Sequence, residues 1–163
     1  MDFVKRCWAE IDLGNAAYNY ELFRKKLSGN AKIIAVIKAN AYGHGANEIA
    51  EELSANGCDF FAVSNITEAV NLRKKGIKGK ILMLGYTPVE YAVSLSENGI
   101  YQAVFSKEYA ELLNARAKQG GVKVKAFLKI DSGMGRLGFD AFDQKKAAGE
   151  IAEVSRRANI EIA

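Results

Sequence analysis

Phe60-Phe61-Ala62-Val63-Ser64-Asn65-Ile66-Thr67-Glu68-Ala69-Val70-Asn71-Leu72-Arg73-Lys74-Lys75-Gly76, followed shortly by Ile81-Leu82-Met83-Leu84, reads as one complete strand–helix–strand unit. Phe60–Val63 is apolar without alternation, as expected of a strand covered on both faces in a parallel sheet. Asn65 then offers a side-chain oxygen to free amides, Glu68 stands three residues later in the capping-box position, and Gly76 closes the helix. A helical crossover between two buried strands is what parallel pairing requires, because a tight hairpin cannot connect them.

The same grammar repeats on both sides. Short apolar runs occur at Ile33–Ile37, Tyr101–Phe105, Val122–Ile130 and Ile160–Ala163. Between them, Asp12 is placed to cap a helix with Leu13, Ala16, Ala17, Tyr20 and Phe23 on one face and Gly29 beyond its end. Thr87-Pro88-Val89-Glu90 predicts another start, with the Thr87 hydroxyl as cap and Gly99 as stop. Ser106 predicts a third, with Tyr109, Leu112 and Leu113 turned inward. Strands alternating with helices at intervals of roughly 20 to 36 residues indicate βα units and a parallel sheet. Periodicity leaves two architectures open, a doubly wound sheet and part of an eight-stranded β/α barrel. The alternating stretch Arg6–Ile11 precedes the series and is expected to pair elsewhere.

The 163 residues are 49% hydrophobic and 26% charged, which suits a globular domain. The net charge of +4 comes from basic residues scattered among 19 acids, in short clusters such as Arg73-Lys74-Lys75 and Lys145-Lys146. These read as solvated helix faces, and no aromatic–basic interleaving marks a nucleic-acid surface. Cys7 and Cys58 show no disulfide or metal spacing, which fits a reduced, cytoplasmic compartment. The opening residues lack the apolar core of a signal peptide, and no run approaches the roughly 18 residues of a membrane span. His44 is the sole histidine, so a multi-histidine metal site is excluded.

Ligands of parallel α/β folds sit beyond the carboxyl ends of the strands, which selects two segments. In Lys38-Ala39-Asn40-Ala41-Tyr42-Gly43-His44-Gly45, a lysine partly desolvated at the mouth of an apolar strand is suited to attack an aldehyde as a Schiff-base nucleophile. Tyr42 and the glycines offer a hydroxyl and approachable amides to a phosphate. The plainer reading is a lysine snorkelling from a strand end into a glycine turn, with His44 an ordinary loop histidine. In Lys129-Ile130-Asp131-Ser132-Gly133-Met134-Gly135-Arg136-Leu137-Gly138, the glycines match the dinucleotide fingerprint, and Glu161 lies near the expected downstream acid position. Against that, Asp140 looks like the cap of a later helix, whereas a dinucleotide site needs the helix to open within the glycines. Arg136 suggests recognition of a carboxylate or phenolate.

Trp8-Ala9-Glu10-Ile11-Asp12-Leu13, Ala35–Gly45 and Leu128–Gly138 together resemble three motifs of the alanine racemase family, in the family's order across the whole chain. Ser132 stands where the family usually has threonine and keeps the hydroxyl. The resemblance implies a fold-type III, pyridoxal-phosphate-dependent racemase of a small amino acid, alanine or serine, acting as a homodimer. It implies that Lys38 carries the cofactor and serves as one of two bases. Tyr42 would contact the cofactor's phosphate, and Arg136 its phenolic oxygen and the substrate carboxylate. Lys129 resembles a lysine that many members carry as a carbamate. The implied architecture over residues 12–163 is a partial (β/α)8 TIM-type barrel of about five and a half βα units, cut before closure. Residues 1–11 would give a strand to a β domain not present, and the second base, a tyrosine of the partner subunit, would also lie outside the chain. The 163 residues alone are then expected to aggregate or associate and to lack racemase activity. Competing readings are a fold-type III protein that binds the cofactor without racemising, a nucleotide-binding oxidoreductase built on the glycine loop, and a non-enzymatic binding module.

Overall fold

A computed structural model describes residues 7–163. Helix α1 (Leu13–Lys26) comes first, capped by Asp12, whose Oδ1 accepts the Asn15 N–H at 3.0 Å. Strand β1 (Ala35–Val36), the short segment α2 (Lys38–Tyr42) and helix α3 (Ala46–Ala55) follow. The chain then alternates through β2 (Phe60–Val63), α4 (Ile66–Lys74), β3 (Lys80–Met83), a 3-10 turn at Val89–Tyr91, α5 (Ala92–Glu97), β4 (Ile100–Val104), α6 (Lys107–Gln119) and β5 (Val124–Leu128). Two short strands, β6 (Ile130–Asp131) and β7 (Phe139–Asp140), pair with each other, and α7 (Gln144–Val154) and β8 (Ile160–Ile162) complete the order.

The main sheet runs β1-β2-β3-β4-β5-β8, and every pairing in it is parallel. This order decides between the two architectures the sequence left open. A doubly wound sheet reverses its strand order at a switch point and carries helices on both faces. Here each new strand adds to the same edge, as in a β/α barrel. Side-chain alternation agrees. Phe61, Val63, Ile81, Met83, Ile100 and Val104 face the helices in the main core, where Leu53, Leu72, Leu95 and Leu113 meet them. Phe60, Ala62, Leu82 and Ala103 point the other way and form a second, smaller cluster with Tyr101 and Phe127. No helix contributes to that inner cluster among the described residues. The fold is therefore an incomplete (β/α)8 barrel with β1 and β8 at its open edges. Val36, on the inner face of β1, is 40% exposed for want of a neighbouring strand.

At the amino-terminal ends of the strands, Arg73 fastens three segments together. Its guanidinium donates to the carbonyls of Ile77 (2.6 Å), Gly79 (2.8 Å), Asn98 (2.8 Å) and Gly99 (3.1 Å), satisfying backbone acceptors just before β3 and β4.

Cys7–Ile11 pairs with no strand among the described residues, and Arg6 lies outside them. Several other local expectations are corrected. Phe23 is 67% and Leu112 61% exposed, because each sits at the margin of its helix's apolar stripe where no neighbour reaches it. Thr87 caps nothing: its buried Oγ1 has no partner, Pro88 precedes the 3-10 turn, and the regular helix starts only at Ala92. Asp143, not Asp140, caps α7, accepting the Lys146 N–H at 3.0 Å, while Asp140 accepts the Phe142 N–H in a tight turn. The run Val122–Ile130 is divided, since the chain leaves the main sheet at Lys129 to form β6.

Candidate active site

Lys38 follows β1 at its carboxyl end, and the backbone after it does something no residue pattern announced. Ala39, Asn40, Ala41 and Tyr42 all have positive φ, from 50° to 57°, and so make a left-handed turn. For L-residues this conformation crowds Cβ against the following carbonyl and costs roughly 1–2 kcal/mol each. Only Asn40 is a residue type that visits it readily. Surrounding contacts hold the turn. Asn40 Oδ1 accepts the Ala46 N–H at 2.9 Å, and the Asn40 carbonyl accepts the Gly45 N–H at 3.0 Å. His44 donates from both its backbone and Nδ1 to the Ala41 carbonyl, so it is the satisfied loop histidine expected. From the neighbouring unit, Glu68 Oε1 accepts the Ala39 N–H at 2.8 Å. Gly43 and Gly45, with φ of 90° and 92°, let the chain leave the turn and enter α3.

Lys38 itself is half-buried, and its Nζ lies 6.0 Å from the centre of the Tyr42 ring. Strand alternation puts Val36 and Ala62 on the inner face and, continued along β2, Ser64 as well; Ile37 leaves the extended region (ψ 27°), so Lys38 stands at the carboxyl end of β1 where the turn begins. On β5, Phe127 is inner, so Lys129 follows on the same side, its N–H still donating to Val104 of β4 at 2.8 Å.

The glycine segment is a loop folded around a single carboxylate. Asp131 accepts the N–H groups of Gly133 (3.0 Å), Gly135 (3.1 Å) and Arg136 (3.0 Å). Hydrogen bonds from Gly133 and Gly135, with a smaller contribution from Arg136, hold its carboxyl below the usual carboxylate range. The amides a pyrophosphate would need are thus occupied by the protein's own anion. No helix opens within the glycines either, as α7 begins only at Gln144. Glu161 lies inside β8, paired with Lys125, rather than beyond a strand end. The dinucleotide reading is overturned on these grounds. The loop is pinned at its far side by Gly138, whose α-carbon passes so close to β6 that a Cβ there would lie 2.4 Å from the Asp131 nitrogen.

The structure thus brings Lys38 and Tyr42 together directly. It carries Lys129 and Arg136 to the same end of the sheet on β5 and its loop, with three strands between. Arg136 is exposed, and its side chain makes no hydrogen bond or ion pair among the described residues. A primary amine, a phenol and a guanidinium on one rim are the right donor types for an aldehyde, a phosphate and a carboxylate or phenolate. The described residues contain no cluster of three potential metal ligands and no helix long and apolar enough to cross a membrane. Two site elements escaped the residue-level reading, the left-handed turn and the Asp131 cradle. For the first, the only local hint is Asn40 beside Gly43 and Gly45.

Residues 11–163 match the family described as alanine racemase, N-terminal domain. The chain belongs to the alanine racemase family. Alanine racemase 1 of Clostridium acetobutylicum is 43% identical over 157 residues, covering 96% of this chain and 40% of its own length. The solved alanine racemase of Clostridium difficile 630 in complex with cycloserine is 39% identical and superposes with a TM-score of 0.90 over 99% of this chain and 44% of that one. A histidine racemase from Leuconostoc mesenteroides is 29% identical, with a TM-score of 0.77 over 91% of this chain and 39% of that one. The chain spans about two fifths of the length of the curated relatives it matches. Membership in the alanine racemase family implies pyridoxal phosphate as cofactor and places these residues in its fold-type III barrel domain.

Proposed function

We propose that this chain provides the cofactor-bearing half of a racemase site for a small amino acid, with alanine as substrate and serine as the second candidate. The observation that carries the reading is Lys38, half-buried beyond the carboxyl end of β1 at the head of a left-handed turn. Its amine would hold pyridoxal phosphate covalently through the cofactor's aldehyde. When bound, that group supplies an electron sink that makes the substrate's α-proton removable. Lys38, its amine freed when the substrate's amine takes its place on the aldehyde carbon, would take or return that proton on one face of the α-carbon, its half-buried site limiting competing protonation by water.

Tyr42, one helical turn on and beside the Lys38 amine, presents its hydroxyl to the cofactor's phosphate. Arg136, presented by the Asp131-centred loop, addresses the phenolic oxygen and the substrate carboxylate. A carbamate on Lys129 would give that guanidinium a negative neighbour and fix its direction. Inversion also needs an acid–base on the opposite face, for which the family resemblance offers a tyrosine of the partner subunit in a homodimer. The cellular role that fits is supply of D-alanine for cell-wall precursors in the cytoplasm. A histidine racemase shares this barrel domain, so the choice of side chain is expected to rest mainly on residues beyond those described here.

Borohydride reduction of the full-length protein loaded with pyridoxal phosphate, followed by peptide mapping, tests the assignment. Label on Lys38, with loss of label and of racemisation in Lys38→Ala, is the expected result. Label on another lysine overturns it.

A further inference from the structure

The left-handed turn behind Lys38 is tied to the sheet by one carboxylate. Glu68, in the first turn of α4, accepts the Ala39 N–H through Oε1 at 2.8 Å. Through Oε2 it accepts both the Ser64 N–H (2.9 Å) and the Ser64 hydroxyl (3.1 Å). Ser64 is the residue immediately after β2, so Glu68 joins the residue after Lys38 to the end of the neighbouring strand. The capping-box geometry read from sequence would send this side chain to the backbone of Asn65. The Asn65 backbone does help to hold its carboxyl low, but its two oxygens also reach one residue further back and across to the adjacent βα unit. Burial pushes its carboxyl up, yet the hydrogen bonds from Ser64 and Ala39 outweigh burial and leave it below its usual range. It therefore acts as an anion at neutral pH, and charge strengthens all three bonds.

The other side-chain contacts of the turn lead elsewhere. Asn40 ties it to the start of α3, and His44 ties it to itself. Among the described residues, Glu68 is the side chain that links it to the strands. We propose that Glu68 is a positioning residue for Lys38, holding the strained Ala39 backbone against Ser64 so that the lysine leaves β1 toward the barrel mouth. The proposal rests on Lys38 as the cofactor-bearing lysine. Without the clamp, Ala39 is free to relax toward the right-handed region, and the one peptide unit between it and Lys38 transmits that rotation to the amine.

The test uses the full-length protein in three forms, wild type, Glu68→Gln and Glu68→Asp. Glutamine keeps the shape but sets an NH2 group against a backbone N–H, whereas aspartate keeps the charge but is too short to span Ala39 and Ser64. In the cofactor-free protein, amide exchange at Ala39 should accelerate at least about ten-fold in Glu68→Gln, while Leu82, inside β3, keeps its wild-type rate. In the loaded protein, borohydride trapping at Lys38 should change rate, and kcat should fall with KM nearly unchanged. A merely structural residue would move the melting temperature and Leu82 exchange together with Ala39. Should Glu68→Gln not fold, Glu68→Asp is read by the same criteria. Wild-type Ala39 exchange and an unchanged trapping rate in the variant overturn the inference while leaving Lys38 in place. Failure of wild type to trap label on Lys38 overturns both.

Discussion

Replacing Gly138 by alanine should release the loop that carries Arg136. A Cβ at this position would lie 2.4 Å from the Asp131 nitrogen and 2.8 Å from the Ile130 carbonyl carbon, against an ordinary contact distance of 3.4 Å or more, a shortfall of 3.4 − 2.4 = 1.0 Å. Both colliding atoms are backbone, so no rotamer change relieves them. The position also has φ of 142°, where an L side chain carries strain of about 1–3 kcal/mol. The cheaper escape is to part β6 from β7. That sacrifices the Phe139 N–H to Lys129 carbonyl bond (2.8 Å) and the Ala141 N–H to Asp131 carbonyl bond (3.0 Å), each contributing about 1 kcal/mol net. It also uncovers part of Phe139, which is only 2% exposed and whose full burial stabilises by about 1.5–3 kcal/mol. The escape thus costs about 3–5 kcal/mol, most of what would hold so small a ladder together, and the open loop becomes well populated. The backbone that presents Arg136 then loses its fixed position. Losing one charge-assisted contact of about 1.5–3 kcal/mol lowers kcat/KM by roughly 10- to 150-fold. The assays are amide exchange at Phe139 and Ala141, steady-state racemisation and thermal melting of the full-length protein. Protected Phe139 and Ala141 amides together with wild-type kcat/KM in Gly138→Ala would refute the reasoning.

Two further predictions concern the same loop. The Asp131 carboxyl is held below its ordinary value of 3.8, so its grip on the loop is complete above that value and lost as pH falls through the lower, folded-state value. The Gly133 and Gly135 amide signals should therefore shift together with a midpoint below 3.8, and a midpoint at or above it would show that their bonds to the carboxylate do not form in solution. Lys129 should carry a carbamate in the full-length enzyme, and Lys129→Ala should lower kcat/KM by about ten-fold or more through the lost partner of Arg136. Electron density for an unmodified amine, with full activity in Lys129→Ala, removes that role.

Local chemistry was legible in the sequence wherever it depends on neighbours along the chain. Phe60–Val63 forms the strand its unbroken apolarity indicated, and Asp12, Asn65 and Ser106 cap the helices that follow them, because an N-cap needs only an oxygen two or three residues before a free amide. The three family motifs named the racemase family and nominated Lys38 for the same reason, being short strings of residue types. What the sequence left open depends on distant residues. Strand order separates a barrel from a doubly wound sheet, and a period-two pattern is the same in both. Asp140 and Asp143 are equal candidates for a cap until the β6–β7 pairing fixes where the chain turns. The glycines of 133–138 could have cradled a phosphate or a carboxylate, and Asp131 settles which by filling them. The left-handed turn at Ala39–Tyr42 is the furthest from view, since alanine favours the opposite hand. Hydrogen bonds to Glu68, which lies 29 residues beyond Ala39, and to Asn40 hold it, and only the packed tertiary structure brings the Glu68 carboxylate beside Ala39.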